Sequence, residues 1–231
     1  MKKRADFAKS ALRKGRFFFP PELLNFINKK LRLQRSYGIM KQGIYPKIIR
    51  GQIMYKFILS TDSTCDLYAD FVKENDIRFV SLNFVFEENG QFTEGVDAFT
   101  DYSQYVDFYN RLRGGAFSRT SMLNYESHYN HFLKLAKEGA KDVLHFTISS
   151  GLSPTVTVAQ KAAADIKKDY PDFNLLAVDS LSATIGQGAL VRAALRLRNE
   201  GKTVQEAYDY VNDLRFHIQY DIIANDLFYL K

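Results

Sequence analysis

Apolar runs alternate with amphipathic segments from about residue 54 to the end of the chain. The apolar runs are rich in β-branched and aromatic residues, and they predict strands over 55–61, 77–87, 142–149, 173–179 and 220–226. Strands separated by helices of about 10–15 residues imply parallel βαβ units. The pattern therefore predicts an α/β fold with a mostly parallel sheet that is covered by helices on both faces.

The segments between these runs have helical spacing and end signals. They predict helices over 67–74, 100–115, 124–137, 154–168, 189–199 and from 203 onward. Asp66 and Ser153 are expected N-caps, and Thr203 forms a capping box with Glu206. Asn89–Gly90 predicts a turn, and the segment 116–123 is expected to be a polar loop.

Charge divides the chain into two parts. Residues 1–53 carry 14 Lys and Arg against two acidic residues, whereas residues 54–231 carry 18 against 24. The sequence therefore predicts a basic N-terminal extension, 1–53, and an α/β domain, 54–231, that lacks the electrostatic footprint of a nucleic-acid-binding protein. The extension could be an arm for nucleic acid or a membrane, or a translated leader preceding a native start at Met54. The second interpretation is possible because codons for Arg50–Gly51 can spell a purine-rich ribosome-binding tract.

Several classes of protein are excluded or disfavoured by composition. The single cysteine, Cys65, cannot form an intramolecular disulfide, no Cys/His spacing suits zinc, and we expect a reducing, cytoplasmic compartment. The chain also lacks an apolar run of the roughly 20 residues that a membrane span requires. We therefore expect no metal, no cofactor and no membrane span.

Candidate chemistry collects after the predicted strands. In parallel sheets ligands bind outside the carboxyl ends of the strands, and the loops there are rich in Ser and Thr but poor in acids and bases. Ser153–Pro154 is explained as a helix start, with proline at the first helical position. Ser149–Ser150 lies between a strand end and a helix start, where free backbone N–H groups and the helix dipole would favour an anion.

Catalytic alternatives are weaker. Ser60 stands where a haloacid-dehalogenase phosphatase would need the first of two acids, so Asp62 is expected to bond local backbone instead. A hydrolase of Ser150, His145 and Asp179 lacks the Gly-x-Ser-x-Gly turn, and Asp179 with Ser180 is expected to cap the next helix. His128 and His131 have metal-compatible spacing, but we expect them on a solvated helix face; His145 is expected to be a satisfied sheet residue.

Five motifs in sequence order resemble the DegV family of bacterial fatty-acid-binding proteins. They are ILSTDSTCDL, the Thr120–Ser121 pair, ISSGLSPT, VDSLSATIGQG and the terminal DLFYLK, and together they span nearly all of residues 55–231. The resemblance implies that hydroxyls hold the carboxylate of a long-chain fatty acid such as palmitate. By position these are Thr120 and Ser150, with Ser149 as the alternative to Ser150. It also implies, more weakly, a pocket bordered by Ser63, Thr64, Ser121, Asp179 and Ser180.

The resemblance further implies a two-domain binding protein that is not an enzyme and that presents its ligand to a separate fatty-acid kinase. Two departures accompany it. Met122–Leu123 replaces the Gln-Pro that often follows the family's Thr-Ser pair, and the chain stops at Lys231, before the family's second domain. We therefore expect a domain truncated at its C-terminal end. The alternatives are an interaction or nucleic-acid-binding protein led by residues 1–53, or an inactive fragment.

Overall fold

A computed structural model describes residues 47–49 and 52–221, with side chains described for residues 55–221. Most of the predicted extension 1–53, apart from residues 47–49 and 52–53, and most of the predicted strand 220–226 lie outside these residues. In chain order the elements are β1 (Lys47–Ile49), β2 (Gln52–Met54), β3 (Ile58–Asp62), a 3-10 turn (Ser63–Cys65), α1 (Ala69–Glu74), β4 (Ile77–Val80), β5 (Asn83–Glu88), β6 (Gln91–Val96), α2 (Tyr102–Arg113), β7 (Phe117–Ser121), α3 (Tyr125–Lys137), β8 (Asp142–Thr147), α4 (Thr155–Asp169), β9 (Asn174–Asp179), α5 (Thr184–Asn199), α6 (Val204–Leu214) and a second 3-10 turn (Arg215–His217).

A four-stranded parallel sheet forms the centre of the fold, in the order β4-β3-β8-β9. The register sets Ser60 beside His145 and Thr61 beside Phe146, so β3 and β8 end at the same edge. Alternate residues of each strand point to opposite faces. The predicted mostly parallel α/β fold is confirmed.

Two apolar cores cover the two faces of this sheet. Leu59, Leu144 and Phe146 pack on one face against α5 and α6, through residues such as Leu190 and Val211. On the other face Val143 packs against α3 and α4, which contribute Phe132 and Ile166 among others. Each helix buries one stripe and leaves its polar stripe to water, as amphipathic spacing requires.

A second sheet is antiparallel and was not predicted. The apolar run 77–87 was expected to be one strand, but it breaks after Val80, and its second half, β5, pairs with β6 and β7. Asn89 and Gly90 both have positive φ, which gives the tight hairpin turn that their sequence predicts. The segment 116–123 was expected to be a loop, yet it contains β7, because its backbone completes this sheet on the other side of β5.

The predicted capping box of Thr203 with Glu206 is confirmed. Two further local caps form: Asp101 with Gln104 builds a second capping box, and Asn124 caps α3. Two expected caps are wrong. Asp66 adopts a left-handed conformation after the 3-10 turn, two residues before the Tyr68 cap of α1, and Pro154 rather than Ser153 precedes α4. No helix within the described ranges is long and apolar enough to cross a membrane.

Candidate functional site

The carboxyl edge of the parallel sheet gathers three hydroxyl-rich segments. They are the 3-10 turn after β3, the turn 148–154 after β8 and the loop 180–183 after β9. The amide of Ser149 donates to the carbonyl of Ser182 over 2.8 Å, and this bond joins the second segment to the third. The edge that strand order predicts as the ligand edge is therefore one connected surface.

A buried carboxylate lies beneath this surface. The side chain of Asp62, with 0% exposure, accepts from the amides of Thr64 at 3.1 Å and Ile148 at 3.0 Å. It also accepts from Gln187 Nε2 at 2.7 Å, and Thr64 Oγ1 lies 2.5 Å away. Burial raises the pKa of Asp62, while these hydrogen bonds oppose the rise. The predicted bond from Asp62 to local backbone is confirmed, but its bonds to β8 and α5 were missed.

The turn after β8 has no open backbone amide from residue 148 to 153. Ile148 donates to Asp62, Ser149 to Ser182 and Ser150 to Asp179 Oδ1, and the next three amides donate to Ser149 itself. The expectation that this turn has free backbone N–H groups is therefore wrong. Among the described residues, only the amides of Thr155 and Val156 remain unbonded where α4 begins. An anion at the turn would have to rely mainly on hydroxyls.

The two serines of the turn differ. Ser149 is buried, and its hydroxyl accepts from the amide of Gly151 at 3.2 Å. The side chain of Ser150 is exposed, and its hydroxyl makes no hydrogen bond within the described part of the chain. Ser150 is thus the serine with a hydroxyl open to a ligand, whereas Ser149 shapes the turn.

Thr120 lies on the second sheet, but a chain of contacts ties it to the same edge. It is paired with Phe84 near the start of β5. Leu82, the residue directly before β5, donates its amide to the hydroxyl of Ser63, which follows β3, over 3.0 Å. The side chain of Thr120 is exposed and has no hydrogen-bond partner in the described ranges. Thr120 and Ser150 are therefore the two predicted head-group hydroxyls that stay uncommitted.

The other predicted pocket residues mostly hold the edge together. Ser63 bonds Leu82, Thr64 bonds Asp62, and the hydroxyl of Ser180 donates to the carbonyl of Ser182 at 2.8 Å. Asp179 accepts from the amides of Ser150 and Leu181. The expectation that Asp179 and Ser180 cap the next helix is wrong, because α5 begins after Ala183 without a side-chain cap. The last predicted pocket residue, Ser121, is exposed and lies 3.5 Å from the carbonyl of Asn83.

Exposed apolar side chains accompany the open hydroxyls. Leu152 in the turn after β8 is 63% exposed, and Ile185 in the first turn of α5 is 64% exposed. Three more large apolar side chains on the loops that follow β3, β7 and β9 are exposed as well: Tyr68, Met122 and Leu181. Single exposed apolar residues are ordinary, but a group of them around polar groups marks a binding surface.

A histidine cluster lies inside the domain, between α3 and the sheet. Ser60 Oγ is 2.8 Å from His131 Nε2 and 2.9 Å from His145 Nδ1. His128 has 0% exposure, and its ring centroid lies 5.4 Å from that of His145. The expected solvated face for His128 and His131 is wrong, because this side of α3 packs on the sheet. The expectation for His145 holds for Nδ1 only, since its Nε2 has no partner.

Burial lowers the pKa of all three rings. It brings His128 to about 4 and His131 to about 4, the latter with added repulsion from His128, Lys134 and Arg78. Burial, and then the two neighbouring rings, also lower the pKa of His145 well below its ordinary value. All three rings are therefore neutral at pH 7.

The geometry opposes the catalytic alternatives. His145 is committed to Ser60 and is fully buried, so it does not serve Ser150 as a base. Ser60 is buried as well, which removes a phosphatase-type nucleophile position. Within residues 55–221, no group of three or more His, Cys, Asp or Glu side chains is arranged to hold a metal ion.

Comparison with known proteins identifies the family. The sequence model described as "Uncharacterised protein, DegV family" matches residues 56–231. The chain belongs to the DegV family. A DegV domain-containing protein of Clostridium perfringens is 31% identical over 178 residues, and one of Streptococcus pyogenes serotype M3 is 30% identical over 177. These alignments cover 77% and 75% of this chain but 60% and 59% of the two relatives. The chain thus spans about 60% of the length of these DegV relatives.

Solved DegV structures share the fold. A DegV lipid-binding protein from Thermotoga maritima aligns with a TM-score of 0.60 at 26% identity, covering 70% of this chain and 55% of that protein. A fatty-acid-binding DegV protein from Thermus thermophilus aligns with a TM-score of 0.55 at 27% identity, covering 70% and 54%. A stearic acid-binding protein from Eubacterium ventriosum gives 0.57 at 25% identity, covering 69% and 52%.

Proposed function

We propose that this chain binds a long-chain fatty acid whose carboxylate is held by the hydroxyls of Thr120 and Ser150, with Ser149 supporting the turn. The observation that carries the proposal is the coincidence of the open Ser150 hydroxyl and exposed apolar side chains at the carboxyl edge of the parallel sheet, to which Ser63 joins the strand beside Thr120. The hydroxyls can donate to a carboxylate, and Leu152 and Ile185 can contact an acyl chain.

The energetics favour such an amphipathic ligand. Each buried CH₂ of an acyl chain contributes about 0.8 kcal/mol, so a long chain binds well even where the head group forms few hydrogen bonds. Because the backbone amides of residues 148–153 already donate hydrogen bonds within the protein, the turn itself has few donors left for an anion. A weakly charged head group on a long apolar tail suits this edge better than a polyphosphate does.

The structural relatives support the same proposal. The proteins from Thermotoga maritima, Thermus thermophilus and Eubacterium ventriosum are described as binding lipid, fatty acid and stearic acid, respectively. Because this chain spans about 60% of its relatives' length, the activity of those whole proteins is carried over only as a proposal. We propose stearic or palmitic acid as ligand, without a cofactor.

A carrier function completes the proposal. The edge offers hydroxyls and two carboxylates that are themselves bonded to backbone amides, Asp62 and Asp179, while His131 and His145 both contact Ser60. Such a site binds but does not supply a base and nucleophile. The chain would then present its fatty acid to a separate kinase that forms the acyl phosphate, without acting as an enzyme itself.

Alanine substitutions test the head-group assignment. Thr120→Ala and Ser150→Ala should each weaken the binding of stearic acid by about 1–3 kcal/mol, because a charged acceptor loses a donor. Isothermal titration of the delipidated protein measures this loss. Thr93→Ala is the matched control, since Thr93 is exposed on β6 of the same antiparallel sheet as Thr120. Unchanged affinity in both site variants would remove the assignment.

A further inference from the structure

We infer that Asp62 and Gln187 are positioning residues, which hold the Ser149–Ser150 turn in the orientation that lets it hydrogen-bond a ligand carboxylate. This inference rests on the proposed fatty-acid site. It assigns a role to two fully buried side chains that lie on separate elements, β3 and α5.

The two oxygens of Asp62 reach in two directions. Oδ2 accepts the amide of Ile148, the residue directly before the Ser149–Ser150 turn, over 3.0 Å. Oδ1 accepts Gln187 Nε2 over 2.7 Å and the amide of Thr64 over 3.1 Å. One carboxylate therefore connects the turn after β8 to the loop after β3 and to the first turns of α5.

Gln187 fixes the far side of this connection. Its Nε2 donates to Thr61 Oγ1 over 3.1 Å as well as to Asp62, and its Oε1 lies 2.8 Å from Thr64 Oγ1. The adjacent glycine, Gly188, lets α5 come close to the 3-10 turn, since a Cβ there would lie 2.6 Å from the carbonyl of Cys65. A small displacement of α5 would therefore break these bonds together.

The chemistry demands an acceptor with two oxygens at position 62. Both backbone amides and the amide nitrogen of Gln187 are donors, and they approach both oxygens of Asp62. Asparagine has nearly the same shape but presents an NH₂ group in place of one oxygen. That NH₂ would face either the amide of Ile148 or the donors of Thr64 and Gln187, and the repelled segment would move.

Burial without a cation makes this arrangement unusual for a merely structural acid. Within residues 55–221, no Lys or Arg forms an ion pair with Asp62, and its hydrogen bonds alone compensate for the loss of water. A carboxylate that orients the head-group turn gives this cost a functional reason.

The test compares head-group discrimination with stability. Delipidated wild-type chain, Asp62→Asn and Gln187→Met are titrated with stearic acid and with octadecanol, which has the same chain length but no carboxylate. We expect both variants to bind stearic acid about tenfold more weakly while octadecanol affinity changes less than twofold. Ile166→Val, in the core between α4 and the sheet, is the control for a general loss of stability. It should preserve the ratio of the two affinities.

The outcomes separate the inference from the proposed function. Wild-type chain that does not bind stearic acid overturns both. Wild-type binding with an unchanged affinity ratio in Asp62→Asn and Gln187→Met overturns the inference and leaves the fatty-acid site standing. If Asp62→Asn does not fold, Gln187→Met decides alone. Amide hydrogen exchange in the folded variants should show faster exchange at Ile148 and Ser150; unchanged protection there also overturns the inference.

Discussion

The histidine cluster makes the domain acid-sensitive in a defined pH window. The perturbation is a fall in pH from about 7 to about 5, which protonates histidines in the unfolded chain before it protonates them in the folded one. The folded pKa values of His128 and His131, each about 4, lie below the unfolded value of 6.5. The unfolded state therefore binds more protons below pH 6.5, and stability falls until about pH 4.

The magnitude follows from these two pKa values. One pKa unit corresponds to about 1.4 kcal/mol, so a full shift from 6.5 to about 4 removes about 3 kcal/mol for each ring. Between about pH 7 and about pH 5 the loss is about 2 kcal/mol for each ring. This is a large share of the roughly 5–15 kcal/mol that stabilises an ordinary domain. The raised pKa of Asp62 acts in the opposite sense, because a carboxyl that is more basic in the folded state gains stability as pH falls.

Urea unfolding followed by far-UV circular dichroism measures the effect, since the chain has no tryptophan. His128→Leu removes one titrating ring without removing a hydrogen bond among the described residues, so it should reduce the pH 7 to pH 5 loss by about 2 kcal/mol. Ile166→Val is the control, because Ile166 lies in the same core as Phe132 but carries no titrating ring, and this change should leave the pH 7 to pH 5 loss unaltered. If the free energy of unfolding of wild type and of His128→Leu fell equally between pH 7 and pH 5, the reasoning would be refuted.

Three further outcomes follow from local geometry. Thr203→Ala removes the capping box with Glu206 and should destabilise the domain by about 1 kcal/mol, which urea titration at neutral pH would detect; no change would contradict the cap. Gly188→Ala should cost about 1–3 kcal/mol in thermal unfolding, because its Cβ would press on the carbonyl of Cys65, and an unchanged melting temperature would argue against this close approach. Burial raises the pKa of the Cys65 thiol to about 12, so iodoacetamide should modify Cys65 far more slowly in native protein than in urea; equal rates would show an open thiol.

Helices were predictable from the sequence because their signals are local. The Thr203 capping box and the Asn124 cap involve residues within three positions of each other, and the structure contains both bonds. The start of α5 was placed five residues late, at 189 instead of Thr184. Its first five residues include Ile185, Gly186 and Gly188, which are weak helix formers, and no side chain caps them, so only tertiary packing reveals that this segment is helical.

Strand assignments failed where pairing decides the structure. Residues 77–87 are rich in β-branched and aromatic residues and predict one strand, yet β4 and β5 belong to different sheets. Residues 117–121 contain Ser, Arg and Thr, whose polarity predicts a loop, but β7 is a strand because it pairs with β5 and leaves Arg119, Thr120 and Ser121 exposed. Strand propensity depends on neighbours that a single sequence does not give.

The position of the candidate site at the carboxyl edge of the sheet was predictable from the sequence, but its network of contacts was not. The rule that ligands bind at strand carboxyl ends selects the loops of Ser63, Ser150 and Asp179, and those loops do meet. The histidine cluster was missed because helical spacing alone does not say which face of α3 is covered. An i, i+3 pair beside Phe132 and Leu135, which are buried, was the available signal that this face packs inward.

For Asp62, the information that the sequence lacks is the register between β3 and β8. Its bond to Thr64 spans two residues and follows from turn chemistry, whereas its bonds to Ile148 and Gln187 span 86 and 125 residues. Once β3 is known to lie beside β8 with Ser60 opposite His145, Asp62 must fall next to the end of β8, where the Ile148 amide leaves the sheet. A buried acid at a strand end should therefore be assigned only after the neighbouring strand is known, because the same residue reads as a turn acid locally and as the junction of three loops in the sheet.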